Sequence, residues 1–183
     1  MKIKYLLIFC TLFFTGNRTD AQNYLPNDRL TSIQFLIKNF GIGVDGSFKN
    51  AVGKIVFDST NLKNASFKIS VDASSVNTGN DSRDKHLKKE EYFDVEKFPK
   101  ISFQSDKVEK GSLPSTYIVT GTFYLKGKSK IVSIPFSAIT QGSSYVFQGK
   151  IGLNRRDFKV GGGSFVLSDN LVLTIKLVAD KLN

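Results

Sequence analysis

The chain is organised around residues 77–103, which read NTGNDSRDKHLKKEEYFDVEKFPKISF. This segment is highly charged, yet it contains the aromatic residues Tyr92, Phe93 and Phe103 and the single histidine, His86. The sequence on either side alternates between apolar and polar residues, which is typical of short strands. A polar helical segment between two runs of strands predicts a lid or plug set into a β-structure.

The N-terminus has the pattern of a secretory signal peptide. Lys2 and Lys4 precede an apolar run over residues 5–14, and small residues predict cleavage between Ala21 and Gln22. The run is about ten residues long, whereas a helix needs about 20 to span a bilayer. We therefore expect a periplasmic or secreted protein, with an uncleaved anchor as the alternative.

The remaining residues, 22–183, are enough for one domain with a sizeable core. Cys10 is the only cysteine and lies in the signal segment, so the mature domain is expected to lack disulfides and thiolate sites. Without residues 1–21 the chain keeps 23 basic and 15 acidic residues, a net charge of +8. Such a surface can attract anionic head groups or an acidic partner, whereas export argues against nucleic acid.

Period-two alternation predicts about eight or nine antiparallel strands, and therefore an all-β barrel or sandwich. The predicted strands cover residues 32–38, 44–48, 54–58, 66–72, 101–103, 117–125, 131–139, 145–153 and 171–179. Pro135 predicts an edge or a bulge, and Gly121 leaves room for another backbone or a ligand. The one helical candidate is residues 81–91, with Asn80 or Asp81 as its cap.

The sequence offers few residues that could carry out catalysis. His86 is the only histidine available to activate a serine, and a histidine in a charged helix is more often solvated. One histidine without cysteine also disfavours zinc. Residues 161–163, three glycines, lack the spacing of nucleotide-binding loops and are interpreted as a flexible loop. We expect no catalytic residues, no metal site and no cofactor.

Apolar side chains leave two alternatives open. The chain has 16 phenylalanines and no tryptophan. If the barrel is narrow, these rings fill it as a solid core, and if it is wider, they line a cavity able to hold a ligand.

Seven motifs run along the mature chain in a fixed order. They are FLIKNFG at 35–41, VxGxF at 44–48, VNTGNxxRDxHL at 76–87, YFDxxxFPxIxF at 92–103, VxG at 119–121, KG at 126–127 and NRxDF at 154–158. In order and spacing they resemble the YceI-like family over about residues 28–180. The resemblance implies a lipocalin-like, extended antiparallel β-barrel of about eight strands with one short helix near residues 81–91.

The same resemblance implies an exported, non-enzymatic protein that holds a polyisoprenoid or similar long-chain amphipathic lipid in an elongated apolar cavity. Two residues depart from the family pattern. Asn39 stands where many members carry histidine, and Lys159 stands where glycine is usual. We expect a different polar contact at the first position and a different loop conformation at the second.

Two groups of candidate ligand-binding residues follow. The apolar cavity is predicted to be lined by Phe35, Ile37, Phe57, Phe67, Ile69, Phe103, Val119, Phe123, Phe136 and Phe147. A polar mouth is predicted from Arg83, Asp84, His86, Asn154, Arg155 and Asp157. The alternative for the polar group is structural: Arg83 and Asp84 would pair with Asp157 and Arg155 and lock the helix to the last strands.

A rival function is an interaction module with a solid core. It would bind an acidic partner through basic residues that include Lys126, Lys128 and Lys130. The same lysines suggest transient contact with a membrane surface. The oligomeric state stays open.

Overall fold

The structure, a computed structural model, describes residues 22–182, so the predicted signal segment at residues 1–21 lies outside the described residues. Most of the regular structure is β-strand. The strands are β1 (Asn23–Pro26), β2 (Ser32–Asn39), β3 (Ile42–Phe48), β4 (Val52–Val56), β5 (Ser66–Asp72), β6 (Lys100–Lys110), β7 (Thr116–Leu125), β8 (Lys128–Gln141), β9 (Ser144–Asn154) and β10 (Leu167–Lys181). The described residues also contain the helix α1 (Asp81–Leu87) and 3-10 turns at Leu62–Asn64, Ala73–Ser75 and Arg155–Phe158.

The ten strand segments close into an eight-stranded antiparallel barrel. β1 and β2 both pair with β10, at opposite ends of that long strand. β4 pairs with β1, and β3 pairs with β2. β1 and β2 therefore act together as one interrupted strand, and β3 and β4 act together as its neighbour. From β4 onward, each strand pairs with the next through β5, β6, β7, β8, β9 and β10, and β1 completes the ring.

The predicted fold class is confirmed, with differences at the ends of elements. β1 was not predicted, because a strand of four residues that ends at Pro26 is too short to give a periodic signal. Pro26 leads into a turn in which the backbone N–H groups of Leu30 and Thr31 donate to the Asn27 carbonyl, at 3.1 and 3.0 Å. β10 begins at Leu167, four residues before the predicted strand.

Pro135 lies within β8, where the pairing changes. It pairs with Ile118 of β7, but the ladder between β8 and β9 starts only at Phe136 and Gly149. Proline has no N–H to donate, so it suits a position at the limit of a ladder. β8 pairs with β7 up to Ser137 and with β9 only from Phe136 onward. Residues 128–135 are thus an edge toward β9, in line with the predicted edge.

Helix α1 is shorter than predicted. Asn80 caps it, because its side-chain oxygen accepts from the Arg83 N–H at 2.9 Å. It ends at Leu87, and the chain folds back in tight turns in which the N–H of Phe93 donates to the Leu87 carbonyl at 3.0 Å. Asp94 has a φ of 51°, which allows the reversal. The early end turns Phe93 toward the barrel, where its ring packs 5.5 Å from that of Phe48.

The core has two layers along the barrel axis. The lower layer centres on Phe57 and includes Phe67, Tyr117, Phe136 and Phe147. The upper layer lies beneath α1 and includes Phe48, Val71, Phe93, Phe123, Phe158 and Leu173. No helix among residues 22–182 is both long enough and apolar enough to cross a membrane.

Candidate functional site: an apolar cavity in the barrel

A cavity of about 380 Å³ lies inside the barrel between the two core layers. Its walls come mainly from the inward faces of β2, β5, β6, β7, β9 and β10, because alternation points every second side chain of a strand inward. Nearly all of the wall is apolar. The barrel is therefore neither wholly solid nor wholly hollow.

The candidate apolar residues lie at this cavity with one exception. Its walls include Phe35, Ile37, Phe67, Ile69, Phe103, Val119, Phe123, Phe136 and Phe147. Phe57 was expected among them but lies below the cavity, where none of its surface is exposed. Its ring meets those of Tyr117, Tyr145 and Phe147 edge-on, with centroids 5.2, 5.1 and 5.2 Å away.

These rings close one end of the cavity. Tyr24 of β1 packs edge-on against Tyr145 with centroids 5.2 Å apart, and it retains 2% of its exposed surface. Burial, followed by the nearby Tyr145, raises the pKa of both Tyr24 and Tyr117. The packed, buried rings therefore close this end of the cavity.

The opposite end is covered by α1 and the turns that follow it. Thr78, His86, Leu87, Tyr92 and Phe93 all contribute to this part of the wall. The imidazole of His86 is about half exposed, at 51%, and its Nε2 lies 3.7 Å from Oε2 of Glu91. The His86 ring also meets Tyr92 edge-on, with centroids 5.0 Å apart. Partly exposed groups such as His86 thus border the cavity at this end of the described barrel.

Arg83 and Asp84 act together on Thr78. The Thr78 hydroxyl donates to Oδ1 of Asp84 at 2.6 Å, and the Thr78 N–H donates to the same oxygen at 3.0 Å. Arg83 donates from Nε to the Thr78 hydroxyl at 2.7 Å and from Nη2 to the Thr78 carbonyl at 2.9 Å. Asp84 is buried. This network fixes the entry to α1, and no ion pair joins it to Asp157 or Arg155 within the described residues.

Arg155 carries a buried positive charge at the edge of the cavity. It is 3% exposed, and its guanidinium donates to the carbonyls of Ser168, Val160, Gly162 and Leu167. Its Nη2 also donates to Oδ1 of Asp169 at 2.7 Å. The alternative in which Arg155 pairs with Asp84 was therefore wrong. The structural role is fulfilled differently, because Arg155 ties the last 3-10 turn to the start of β10.

The other two polar candidates face away from the cavity. Asp157 pairs with Lys130 of β8. Asn154 caps the 3-10 turn Arg155–Phe158 by accepting from the Arg156 N–H at 2.9 Å. Of the six polar residues, Arg83, His86 and Arg155 lie at the cavity wall, whereas Asp84, Asn154 and Asp157 do not.

Several wall residues were missing from the predicted site. Leu171, Leu173 and Ile175 of β10 share the inward face, and their alternation was visible in the sequence. Their omission reflects a preference for aromatic side chains rather than a lack of signal. Tyr92 has no periodic neighbours, so only its place in the folded segment brings it to the cavity.

The two family departures also have structural counterparts. Asn39 lies at the cavity wall, where β2 ends. Lys159 has a φ of 54°, in the left-handed region that favours glycine. Its backbone carbonyl accepts from Nζ of Lys126 at 2.9 Å, so this loop is held in the glycine-like conformation despite the side chain.

A family model for the YceI-like domain matches residues 25–179. The chain belongs to the YceI-like family. Relatives of this YceI-like chain include a UPF0312 protein of Photorhabdus laumondii, 30% identical over 158 residues and covering 81% of each chain. Protein YceI of Escherichia coli is 26% identical over 186 residues and covers 96% of each chain.

Solved structures share the YceI-like barrel. BcnA of Burkholderia cenocepacia matches 84% of this chain and 98% of its own, with a TM-score of 0.79 and 22% identity. A YceI protein of Campylobacter jejuni matches 76% and 86%, with a TM-score of 0.69 and 27% identity. A polyisoprenoid binding domain from Saccharophagus degradans matches 89% and 100%, with a TM-score of 0.71 and 14% identity.

Proposed function

We propose that this YceI-like protein is exported and holds a polyisoprenoid or isoprenoid-quinone-like lipid in its cavity, for carriage or sequestration, without catalysing a reaction. The observation that carries the proposal is the closed-ended apolar cavity of about 380 Å³. This volume lies within the range of about 300–1,000 Å³ that is common for small-molecule sites. The ligand class follows the name of the Saccharophagus domain, whose barrel this chain shares.

The wall suits a tail rather than a polar solute. Each methylene moved from water into such a wall contributes about 0.8 kcal/mol. In a cell envelope the competing site for the tail is a bilayer, which is equally apolar, so the tail alone gives little net preference. Groups at the open end, Arg83, His86 and Tyr92, can contact a polar head and would decide the balance. Reversible carriage follows more naturally from this balance than permanent capture.

The rival interaction module fits less well. It requires a solid core, whereas the barrel encloses a cavity. Two of its three hairpin lysines are also engaged within the protein. Lys126 donates to the carbonyls of Glu91 and Lys159 at 2.8 and 2.9 Å, and Lys130 pairs with Asp157. Partial burial lowers the pKa of Lys126, although Asp94, Glu90 and Glu91 act in the opposite direction.

The test is uptake by the mature protein of a fluorescent farnesyl lipid delivered from cyclodextrin. Ile69 lies at the cavity wall, so Ile69→Trp should fill part of the void and reduce uptake at least about tenfold while the barrel stays folded. Val52 of the adjacent β4 is 51% exposed, so Val52→Trp is the matched control and should leave uptake unchanged. Equal uptake by both variants, or none by the wild type, would reject the proposal.

A further inference from the structure

An exposed apolar surface lies at the open end of the barrel. It consists of Phe40 and Ile42 at the turn between β2 and β3, and of Phe165 and Val166 in the loop before β10; we call these four residues the apolar tip. Phe40 is 74% exposed, Ile42 71%, Phe165 fully exposed and Val166 38%. Solvent exposure of four neighbouring large apolar residues is characteristic of a contact surface.

The two halves of the tip are held together and held outward. The Phe40 N–H donates to the Val166 carbonyl at 2.9 Å. The Ser164 hydroxyl accepts from the N–H groups of Val166 and Leu167 at 3.2 and 3.0 Å, which fixes the turn that presents Phe165. The rings are therefore displayed by a hydrogen-bonded structure.

Phe40 is an unfavourable residue for its position. Asn39 and Ile42 pair directly, so Phe40 and Gly41 form a two-residue hairpin turn, and their φ angles are 51° and 75°. Such turns favour asparagine followed by glycine, because both central residues need positive φ. A bulky aromatic residue there is strained, and strain retained in a structure often marks a functional position. Phe40 does not favour the turn it occupies, so its presence is best explained by a contact outside the folded barrel.

The tip adjoins the open end of the cavity. Asn39, at the cavity wall, precedes Phe40, and Leu167, also at the wall, follows Val166. The loop that carries Phe165 contacts the cover as well, because the Gly161 N–H donates to the Glu91 carbonyl at 2.9 Å. Whatever binds the tip therefore lies beside the route by which a ligand would enter.

Basic side chains border the tip. Lys38, next to Asn39, and Lys159 are exposed. The Arg156 guanidinium lies against the tip loop, with Nη1 3.2 Å from the position that a Gly163 Cβ would take. The nearest acidic residue of β10, Asp169, is paired with Arg155. Apolar rings with cations beside them, here Arg156 and Lys38, fit a bilayer with anionic head groups, in which rings insert and cations remain at the surface.

We infer that the apolar tip docks this protein on anionic membranes and places the cavity opening at the lipid surface. This inference rests on the proposed function, since docking would let a lipid move between bilayer and cavity without crossing water. Aromatic side chains favour the interfacial region of a bilayer, which suits Phe40 and Phe165.

The test is flotation of the mature protein with vesicles of equal parts phosphatidylglycerol and phosphatidylethanolamine. The double variant Phe40→Asn/Phe165→Ser should weaken binding at least about tenfold, because two inserted rings are lost. Phe40→Asn also relieves the turn, so reduced binding would not reflect misfolding. Ile139, 54% exposed at the opposite end of the barrel, provides the control: Ile139→Ser should float like the wild type.

A second readout uses the absence of tryptophan from the chain. Phe165→Trp places a single indole in the tip, and Ile139→Trp places one at the far end. With the anionic vesicles, emission should shift to the blue for the first variant only. Vesicles of pure phosphatidylcholine should bind less well.

Three results would overturn the docking inference. They are flotation of the double variant at the wild-type level, no flotation of the wild type, and a wild-type dimer that the double variant loses without any vesicle binding. The proposed function is tested separately by uptake from cyclodextrin. Uptake without flotation would reject docking alone, whereas flotation without uptake would reject the cavity as a lipid site.

Discussion

At the scale of single residues, Arg155 is the clearest case of a charge used for structure. Its guanidinium serves four carbonyls and Asp169 while staying 3% exposed. Arg155→Met would leave several of these acceptors without a donor, so we expect a loss of about 2–4 kcal/mol in the free energy of unfolding. Urea denaturation measures this loss.

Asp169→Asn is the matched control for Arg155. The Asp169 side chain is 47% exposed and asparagine keeps an oxygen that can accept from Arg155, so we expect a smaller loss than for Arg155→Met. Arg155→Lys should resemble the methionine variant, because one ammonium group cannot reach acceptors spread around a planar guanidinium. A lysine variant as stable as the wild type would contradict this role.

Replacing Phe40, unlike replacing Arg155, is expected to stabilise the protein. Its φ of 51° is strained for a phenylalanine and acceptable for an asparagine. Phe40→Asn alone should therefore raise the free energy of unfolding by about 0.5–1 kcal/mol, well within the cost of such strain. A shift of the urea midpoint to higher concentration measures it. A destabilised variant would mean that the Phe40 ring packs within the fold, and it would weaken the case for membrane docking.

At the scale of elements, Gly121 allows two strands to approach closely. A Cβ at this position in β7 would lie 2.6 Å from Cα of Ser105 in β6, beside the register shift between Ser105 and Lys107. Gly121→Ala must push the bulged strand away, so we expect about 1–3 kcal/mol of destabilisation. Gly152 of β9 has open space at its Cβ position, and Gly152→Ala should change stability little. Equal effects in thermal unfolding would contradict the close approach.

Asp180 joins three elements near the closed end. It accepts from Asn27 Nδ2 at 2.8 Å and from the Ser144 hydroxyl at 2.6 Å, and these hydrogen bonds, that of Ser144 first, lower its pKa. A carboxyl whose folded pKa is lowered contributes stability above its unfolded pKa of about 3.9, and this is lost as pH falls through the folded value. Urea midpoints of the wild type and Asp180→Asn should therefore differ at pH 7 and converge in strong acid. A difference that is constant with pH would reject the linkage.

The sequence predicted elements well where a periodic signal was long. The alternating run behind β7 has its buried residues on one face, as expected. β9 and β10 keep the alternation over most of their length, but Val146 and Val178 are buried on the other face. Elements defined by their neighbours were harder to predict. β1 depends on β10 and β4 for its partners, and α1 ends at Leu87 because the following backbone turns inward. Residues 88–91 are as charged as the helix before them, so the sequence pattern does not show that the backbone turns after Leu87.

At the scale of the whole molecule, the barrel is solid at its closed end and encloses a cavity between its two core layers. Phe57 and Phe103 share the same strand pattern, but Phe57 packs in the closed ring layer and Phe103 lies at the cavity. Alternation determines which face a ring occupies, not how much space lies in front of it. That space depends on how β1 closes the barrel, which no local pattern encodes. The polar partners of Arg155 likewise depend on how the loop before β10 folds, which no local pattern encodes.

The most direct test of lipid binding is the native mass of residues 22–183, expressed in bacterial cells and purified without detergent. We expect a one-to-one adduct whose ligand, extracted into organic solvent, has the mass of an isoprenoid lipid. Ile69→Trp should reduce the adduct, and Val52→Trp should retain it. A protein that has only its own mass, and stays so after incubation with prenyl alcohols or quinones, would contradict a lipid-holding barrel.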